Sequence, residues 1–135
     1  MRELKLDVAC LERLDEVTAF VDGILEALDC PPSTQMQIDV AVEELYANIT
    51  HYAYAPGEGP VTIRAEAEPD RIVAITFVDQ GMPYDPLARP DPDIALPVAE
   101  RPIGGLGIYM VKNSMDDVTY RREDNRNVLT IRKKV

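Results

Sequence analysis

No apolar run in this 135-residue chain approaches the roughly 20 residues that a membrane-spanning helix needs. The opening Met1-Arg2-Glu3-Leu4-Lys5 alternates charge with apolar character, where a secretory signal would carry an apolar core. Together these absences predict a cytoplasmic protein. Cysteine is scarce: Cys10 and Cys30 are far apart and form no C-x-x-C, which predicts two buried structural thiols rather than a disulfide framework or a zinc site. Basic residues are outnumbered, 14 Lys and Arg against 24 Asp and Glu, for a formal net charge of −10. That balance argues against a phosphate-backbone grip on DNA or RNA. It does not exclude phosphate ligands, because backbone N–H groups and Mg²⁺ can carry them. The acidity suits basic patches on a protein partner, and solubility accounts for it equally well. Repeats and low-complexity linkers are also lacking, and the length suits one domain spanning residues 1–135.

The apolar residues that are present, 46% of the chain, fall into clear periods. Leu4, Leu6 and Val8 alternate with charges over residues 2–8, the pattern of a half-buried strand. Over 11–28 the period changes, and Leu11, Leu14, Val17, Val21, Ile24, Leu25 and Leu28 form one helical stripe. Pro31-Pro32-Ser33 starts a second helix over roughly 33–54, with Ile38, Val42 (or Ala41), Leu45, Ile49 and Tyr52 as its core stripe. Pro56-Gly57-Glu58-Gly59-Pro60 ends it. Strands follow at 61–66 and 71–78, joined by a turn at Pro69-Asp70. Residues 79–103 are rich in proline and have no regular apolar period, so they read as a functional loop of the lid kind. A short helix runs from the glycine turn at 104–107 to about Met115. Strands at 117–122 and 127–133 close the chain around a polar turn, in which Asn125 is best suited to positive φ. The order β-α-α-β-β-loop-α-β-β predicts an α+β fold, a two-layer sandwich with a mainly antiparallel sheet and helices on one face.

Three segments carry chemistry. Glu44 and Asn48 are i, i+4 neighbours on the second helix, with His51 at i+7, all on one face offset from the core stripe. The Asn48 amide oxygen is a hard ligand suited to Mg²⁺. The Glu44 carboxylate can take a proton from an attacking hydroxyl or water. Glu43 lies about 100° around the helix and reads as a surface or capping charge. His51 reads as a structural histidine, and the Glu44–Asn48 spacing by itself is also that of an ordinary solvated helix face. Asp79-Gln80-Gly81 follows a hydrophobic strand. Asp79 can accept a hydrogen bond from an exocyclic amine such as adenine N6, and Gly81 lets backbone approach a flat base; a plain strand-ending turn has the same composition. Gly104-Gly105-Leu106-Gly107 puts three glycines directly before an amphipathic helix, exposing N–H groups that suit phosphate. A hinge before a helix is the alternative there. Neither the P-loop nor the dinucleotide glycine pattern is present.

Taken in this order, the three segments resemble the GHKL ATPase superfamily, and within it the stand-alone bacterial anti-sigma factor serine/threonine kinases. The run from Ala41 through Glu44, Asn48 and His51 to Tyr54 resembles that family's N box. Asp79-Gln80-Gly81 with Tyr84-Asp85-Pro86 resembles its first glycine box, and Gly104 to Gly107 with Val111 and Met115-Asp116-Asp117-Val118 its second. Asn127 to Lys133 resembles its terminal strand. The resemblance implies the Bergerat ATP-binding fold, ATP and Mg²⁺ as cofactors, Asn48 as metal ligand and Glu44 as catalytic base. It implies that Asp79 meets the adenine amine, that Gly81 lines the base pocket, and that Thr130 makes a contact near the adenine. Gly104, Gly105, Leu106 and Gly107 would border the phosphates, under a lid made by residues 88–103. The implied substrate is a serine or threonine of an anti-anti-sigma (STAS-domain) protein, with a sigma factor as second partner and a homodimer as assembly. The chain departs from the family in having Met82-Pro83 where a second glycine is usual, and Asn125 where glycine is frequent in the last hairpin. The lid carries Arg89 and Arg101 but no lysine. Two other functions stay open: a non-catalytic, nucleotide-tuned module that sequesters a sigma factor or other regulator, and a detached ATP-binding part of another GHKL machine.

Overall fold

The computed structural model describes residues 1–88 and 106–135. Five strands are present: β1 (Arg2–Leu6), β2 (Val61–Glu68), β3 (Ile72–Asp79), β4 (Asp117–Glu123) and β5 (Arg126–Lys134). They form one antiparallel sheet in the order β1-β2-β3-β5-β4, so β5 is inserted between β3 and its own hairpin partner. Three α-helices are described, α1 (Leu14–Ala27), α2 (Pro32–Asn48) and α3 (Leu106–Ser114). The α+β expectation holds, with the chain paired antiparallel throughout.

The two-residue period of the strands decides what the sheet buries. Val61 and Ile63 of β2, Val73, Ile75 and Phe77 of β3, and Leu129 and Ile131 of β5 share one core with Val17, Val21 and Leu25 of α1 and Ile38, Val42 and Leu45 of α2. Each large side chain fully buried here contributes about 1.5–3 kcal/mol relative to exposure. Both hairpin turns use positive φ at two successive residues, Asp70 and Arg71 (65° and 60°) and Asp124 and Asn125 (51° and 60°). Such a pair matches the twist of the strands it joins, so Asp124 shares the strain assigned above to Asn125 alone.

Helix boundaries differ from the sequence expectation in two informative ways. Residues 11–13 form a 3₁₀ turn, and Leu11 is exposed rather than part of the α1 stripe. The second helix is α-helical to Asn48 and then widens into a π-helical turn, Ile49–Ala53. The wider turn shifts the phase of everything after it. Tyr52, expected in the core, is 48% exposed as a result, while Tyr46 is fully buried. The Tyr46 hydroxyl donates to the Cys10 carbonyl (2.6 Å) and accepts from the Cys10 N–H (3.0 Å). Cys30 is buried as expected; Cys10 is half-buried, and both thiols are free. Glu43 is exposed, as a surface charge should be.

Candidate functional site

Asp79 is the last residue of β3 and points to the helix side of the sheet, where it is 5% exposed. Its Oδ1 accepts two hydrogen bonds, from the Gly81 N–H at 2.9 Å and from Asn127 Nδ2 at 2.8 Å. Burial raises its carboxyl above the ordinary range, opposed by the bonds from Asn127 and Gly81 and by the charge of Arg122. Asn127 faces Asp79 in the β3–β5 register. Its second amide hydrogen goes to the Met82 carbonyl at 2.8 Å. Its oxygen accepts from the Tyr120 hydroxyl at 2.5 Å and the Tyr84 N–H at 3.3 Å. All four bonds that a carboxamide can make are therefore used, and Asp79 Oδ2 keeps its hydrogen-bonding capacity.

The turn after Asp79 is fastened to the end of α2. Met82 N–H donates to the Ala53 carbonyl at 2.8 Å, and Arg122 Nη1 donates to the Gly81 carbonyl at 2.8 Å. A side chain at Gly81 would overlap the backbone carbonyl of Ala53, so only glycine fits this approach. The Tyr54 hydroxyl accepts from the Gln80 N–H at 2.7 Å. The π turn thus supplies the surface on which the Asp79–Gly81 turn rests.

Between α2 and the sheet lies a pocket with Asp79 and Asn127 in its wall, apolar sides from Leu45, Ile49, Phe77 and Leu129, and Asn48 at its edge. Tyr84 completes it and stacks on Tyr52, with ring centroids 5.4 Å apart at 29°. The space left for water-sized molecules is about 30 Å³, and Tyr84 is the wall that faces an exposed neighbour. On Asn48 the carboxamide nitrogen is buried with no hydrogen-bond partner. A buried polar group left open in this way fits a site completed by a ligand, and half a turn of the amide presents its oxygen there instead.

Glu44, one turn before Asn48, meets α3. A Cβ on Gly107 would overlap the Glu44 carboxylate, so glycine at the second residue of α3 lets Glu44 lie against the start of that helix. The structure therefore brings Asn48 and Asp79 into one pocket, with Gly81 bonded to Asp79, and sets Glu44, one turn before Asn48, against Gly107. Thr130 is not brought in. Asn127, Leu129 and Ile131 face the helices, so by the alternation of β5 Thr130 faces the other side, where its hydroxyl pairs with that of Thr76 at 2.9 Å. His51 is exposed, edge-on to Tyr52 at 6.1 Å. Gly104, Gly105 and the lid from residue 89 onward lie outside the described residues, as does the Leu106 side chain. Sequence reasoning missed Asn127. Its signal was a polar residue in the same two-residue phase as Leu129 and Ile131.

A five-stranded antiparallel sheet covered by helices, with this pocket at the end of its middle strand, defines a nucleotide-binding ATPase domain of the GHKL class. The chain belongs to the histidine kinase-like ATPase domain family, whose profile matches residues 8–133. It is similar to the serine-protein kinase RsbW of Bacillus cereus, 32% identical over 94 residues, covering 67% of this chain and 58% of the relative. It is also similar to the serine/threonine-protein kinase BtrW of Bordetella bronchiseptica, 27% identical over 94 residues, covering 70% and 66%. The matched stretch spans less than two thirds of those relatives' length. Two solved structures share the fold. One holds the RsbU and RsbW domains of a Mycobacterium tuberculosis protein, with a TM-score of 0.67 at 15% identity over 99% of this chain and 32% of that one. The other is the SiaB–SiaC complex of Pseudomonas aeruginosa, with a TM-score of 0.60 at 17% identity over 96% and 88%. Among the described residues no helix is long and apolar enough to cross a membrane.

Proposed function

We propose that this chain, as one domain of residues 1–135, binds Mg²⁺–ATP and phosphorylates a serine or threonine of an anti-anti-sigma (STAS-domain) partner. The observation that carries the reading is the Glu44–Gly107 contact. It sets a carboxylate against the start of α3, one turn from Asn48, which lines the same pocket as Asp79. The kinase names of the relatives support the same reading, and so does the family.

Each residue has a task in it. Asp79 Oδ2 accepts from the adenine amine, held in position by Asn127. Gly81 keeps the pocket wall thin. Asn48 offers its amide oxygen to Mg²⁺, a cation that takes few protein ligands and shares the rest with phosphate and water. Gly107, with Gly104, Gly105 and Leu106 before it, brings backbone to the phosphates. The nucleotide and metal supply the phosphoryl group and neutralise its charge. Glu44 accepts the proton of the acceptor hydroxyl as its oxygen bonds to the γ-phosphorus; the bond to the bridging oxygen breaks and ADP leaves. Thr130 has no task in this scheme. The reading extends to a cytoplasmic protein, a sigma factor as second partner and a homodimer as assembly.

Thermal shift with Mg²⁺–ATP tests the binding half. A ligand at 100 times its Kd adds about 2.7 kcal/mol of stability, which wild type should gain and Asp79→Asn should lose. Glu44→Gln tests the chemical half: it should keep the shift and lose phosphotransfer by roughly 10²–10⁴-fold. A second reading, the non-catalytic partner-binding module, draws on the narrowness of the pocket. A wild-type protein with no shift in Mg²⁺–ATP would decide for it.

A further inference from the structure

Outside the nucleotide pocket, a groove of about 360 Å³ runs between α2 and α3. Ser33, Met36, Gln37 and Val40 line it from α2, and Met110 and Ser114 from α3. Met36, Met110 and Val40 are 69%, 52% and 46% exposed, so its rim is apolar and faces water.

The groove has a direction. Gly107, Met110, Val111 and Ser114 stand at i, i+3, i+4 and i+7, on one face of α3. On α2, Gln37 and Val40 precede Glu44 by two turns and one. The Glu44–Gly107 contact therefore closes one end of the groove. From Ser33 to Glu44 the wall is roughly 16 Å of helix. Glu43 is exposed and stands beside Met36 on the helical wheel of α2, at the edge of the groove. An apolar track with a carboxylate on its rim thus ends at the carboxylate assigned as base.

We infer that this groove docks the phosphoacceptor protein, through a segment whose apolar side chains seat among Met36, Val40 and Met110 and whose Lys or Arg side chains face Glu43. The inference rests on the kinase reading above and adds the chemistry of the partner's surface. Charge selects this occupant. A second copy presenting this same face would bring Glu43 against Glu43, whereas a basic-apolar segment is attracted and leads its hydroxyl to Glu44.

The probes are the STAS-domain proteins of the source organism, purified singly and assayed for phosphotransfer from labelled ATP. For the one that is phosphorylated, Val40→Asp and Met110→Asp should each raise the KM for that protein roughly tenfold or more. The KM for ATP and the ATP-induced thermal shift should stay unchanged, which also certifies folding; Met36→Gln serves if either Asp variant fails that control. Glu43→Lys should raise the acceptor KM at low salt and flatten its salt dependence. An unchanged acceptor KM in the groove variants would overturn the inference while leaving the kinase reading intact. So would loss of self-association in Met110→Asp with phosphotransfer unaffected, since a second copy would then be the occupant. If wild type binds ATP and phosphorylates none of these proteins, the kinase reading itself fails and the docking proposal falls with it.

Discussion

Asn127 Nδ2 donates to Asp79 Oδ1 across 2.8 Å, linking the end of β3 to the start of β5 at a paired register position. The bond leaves one oxygen of a buried carboxylate free in a defined direction. Asn127→Leu would leave that carboxylate with one bond fewer in a dry site. The expected loss is about 1–3 kcal/mol of stability, together with weaker adenine-nucleotide binding. Urea denaturation and ATP titration measure the two effects. Asn127→Ser, small and polar, should lose less of the stability than of the affinity.

Gly107 and Gly81 each admit a close approach that a methyl group would fill. Gly81→Ala forces a backbone carbonyl aside and should destabilise by about 1–3 kcal/mol, as overpacking does. Gly107→Ala instead meets the end of a side chain that can swing. It should cost less stability and chiefly lower phosphotransfer, because Glu44 is displaced. Parallel denaturation and kinase assays separate the two outcomes.

The Asp39 carboxyl is raised to about 7 from its ordinary 3.8, first by burial and then by Asp22, with Glu43 and Glu26 adding. The folded chain therefore holds a proton there that the unfolded chain has already released. Stability from this site is full below about pH 4 and is lost as pH rises through about 7. Asp39→Asn should remove that slope and be the more stable protein at pH 8. Denaturation midpoints for both proteins from pH 4 to 8 would check it; parallel curves would disprove the assignment.

Tyr52 braces Tyr84 against the pocket by an offset stack worth about 0.5–1.5 kcal/mol. Because Tyr84 lines the pocket, the brace holds that wall in place. Tyr52→Ala should speed adenine-nucleotide association, measured by stopped flow, with a small loss of stability. An unchanged association rate would mean that another wall opens first.

The strands and the apolar stripes of α1 and α2 were legible because period-2 alternation marks β1, β2 and β5 and a period near 3.6 marks the helices from Leu14 to Leu45. Just past Asn48 the helical reading lost phase. The π turn adds a residue to the helical repeat, so Tyr52 was counted into the core; Tyr46, before that turn, was passed over because its burial depends on the polar bonds of its hydroxyl to Cys10. Asp79, Glu44 and Gly107 could be read as a set only through the family resemblance, since their contacts are made across elements far apart in sequence. Asn127 and Thr130 show the same limit. Which residue of β5 faces the pocket depends on the register with β3, and a shift of one exchanges them.

The Tyr46 hydroxyl fills both the donor and the acceptor role that a neighbouring strand would offer Cys10. A helix side chain therefore works as a rung of the sheet, on the segment that leaves β1. Tyr46 lies between Glu44 and Asn48, so the same phenol ties the helical turn that carries both to the stretch that leaves β1.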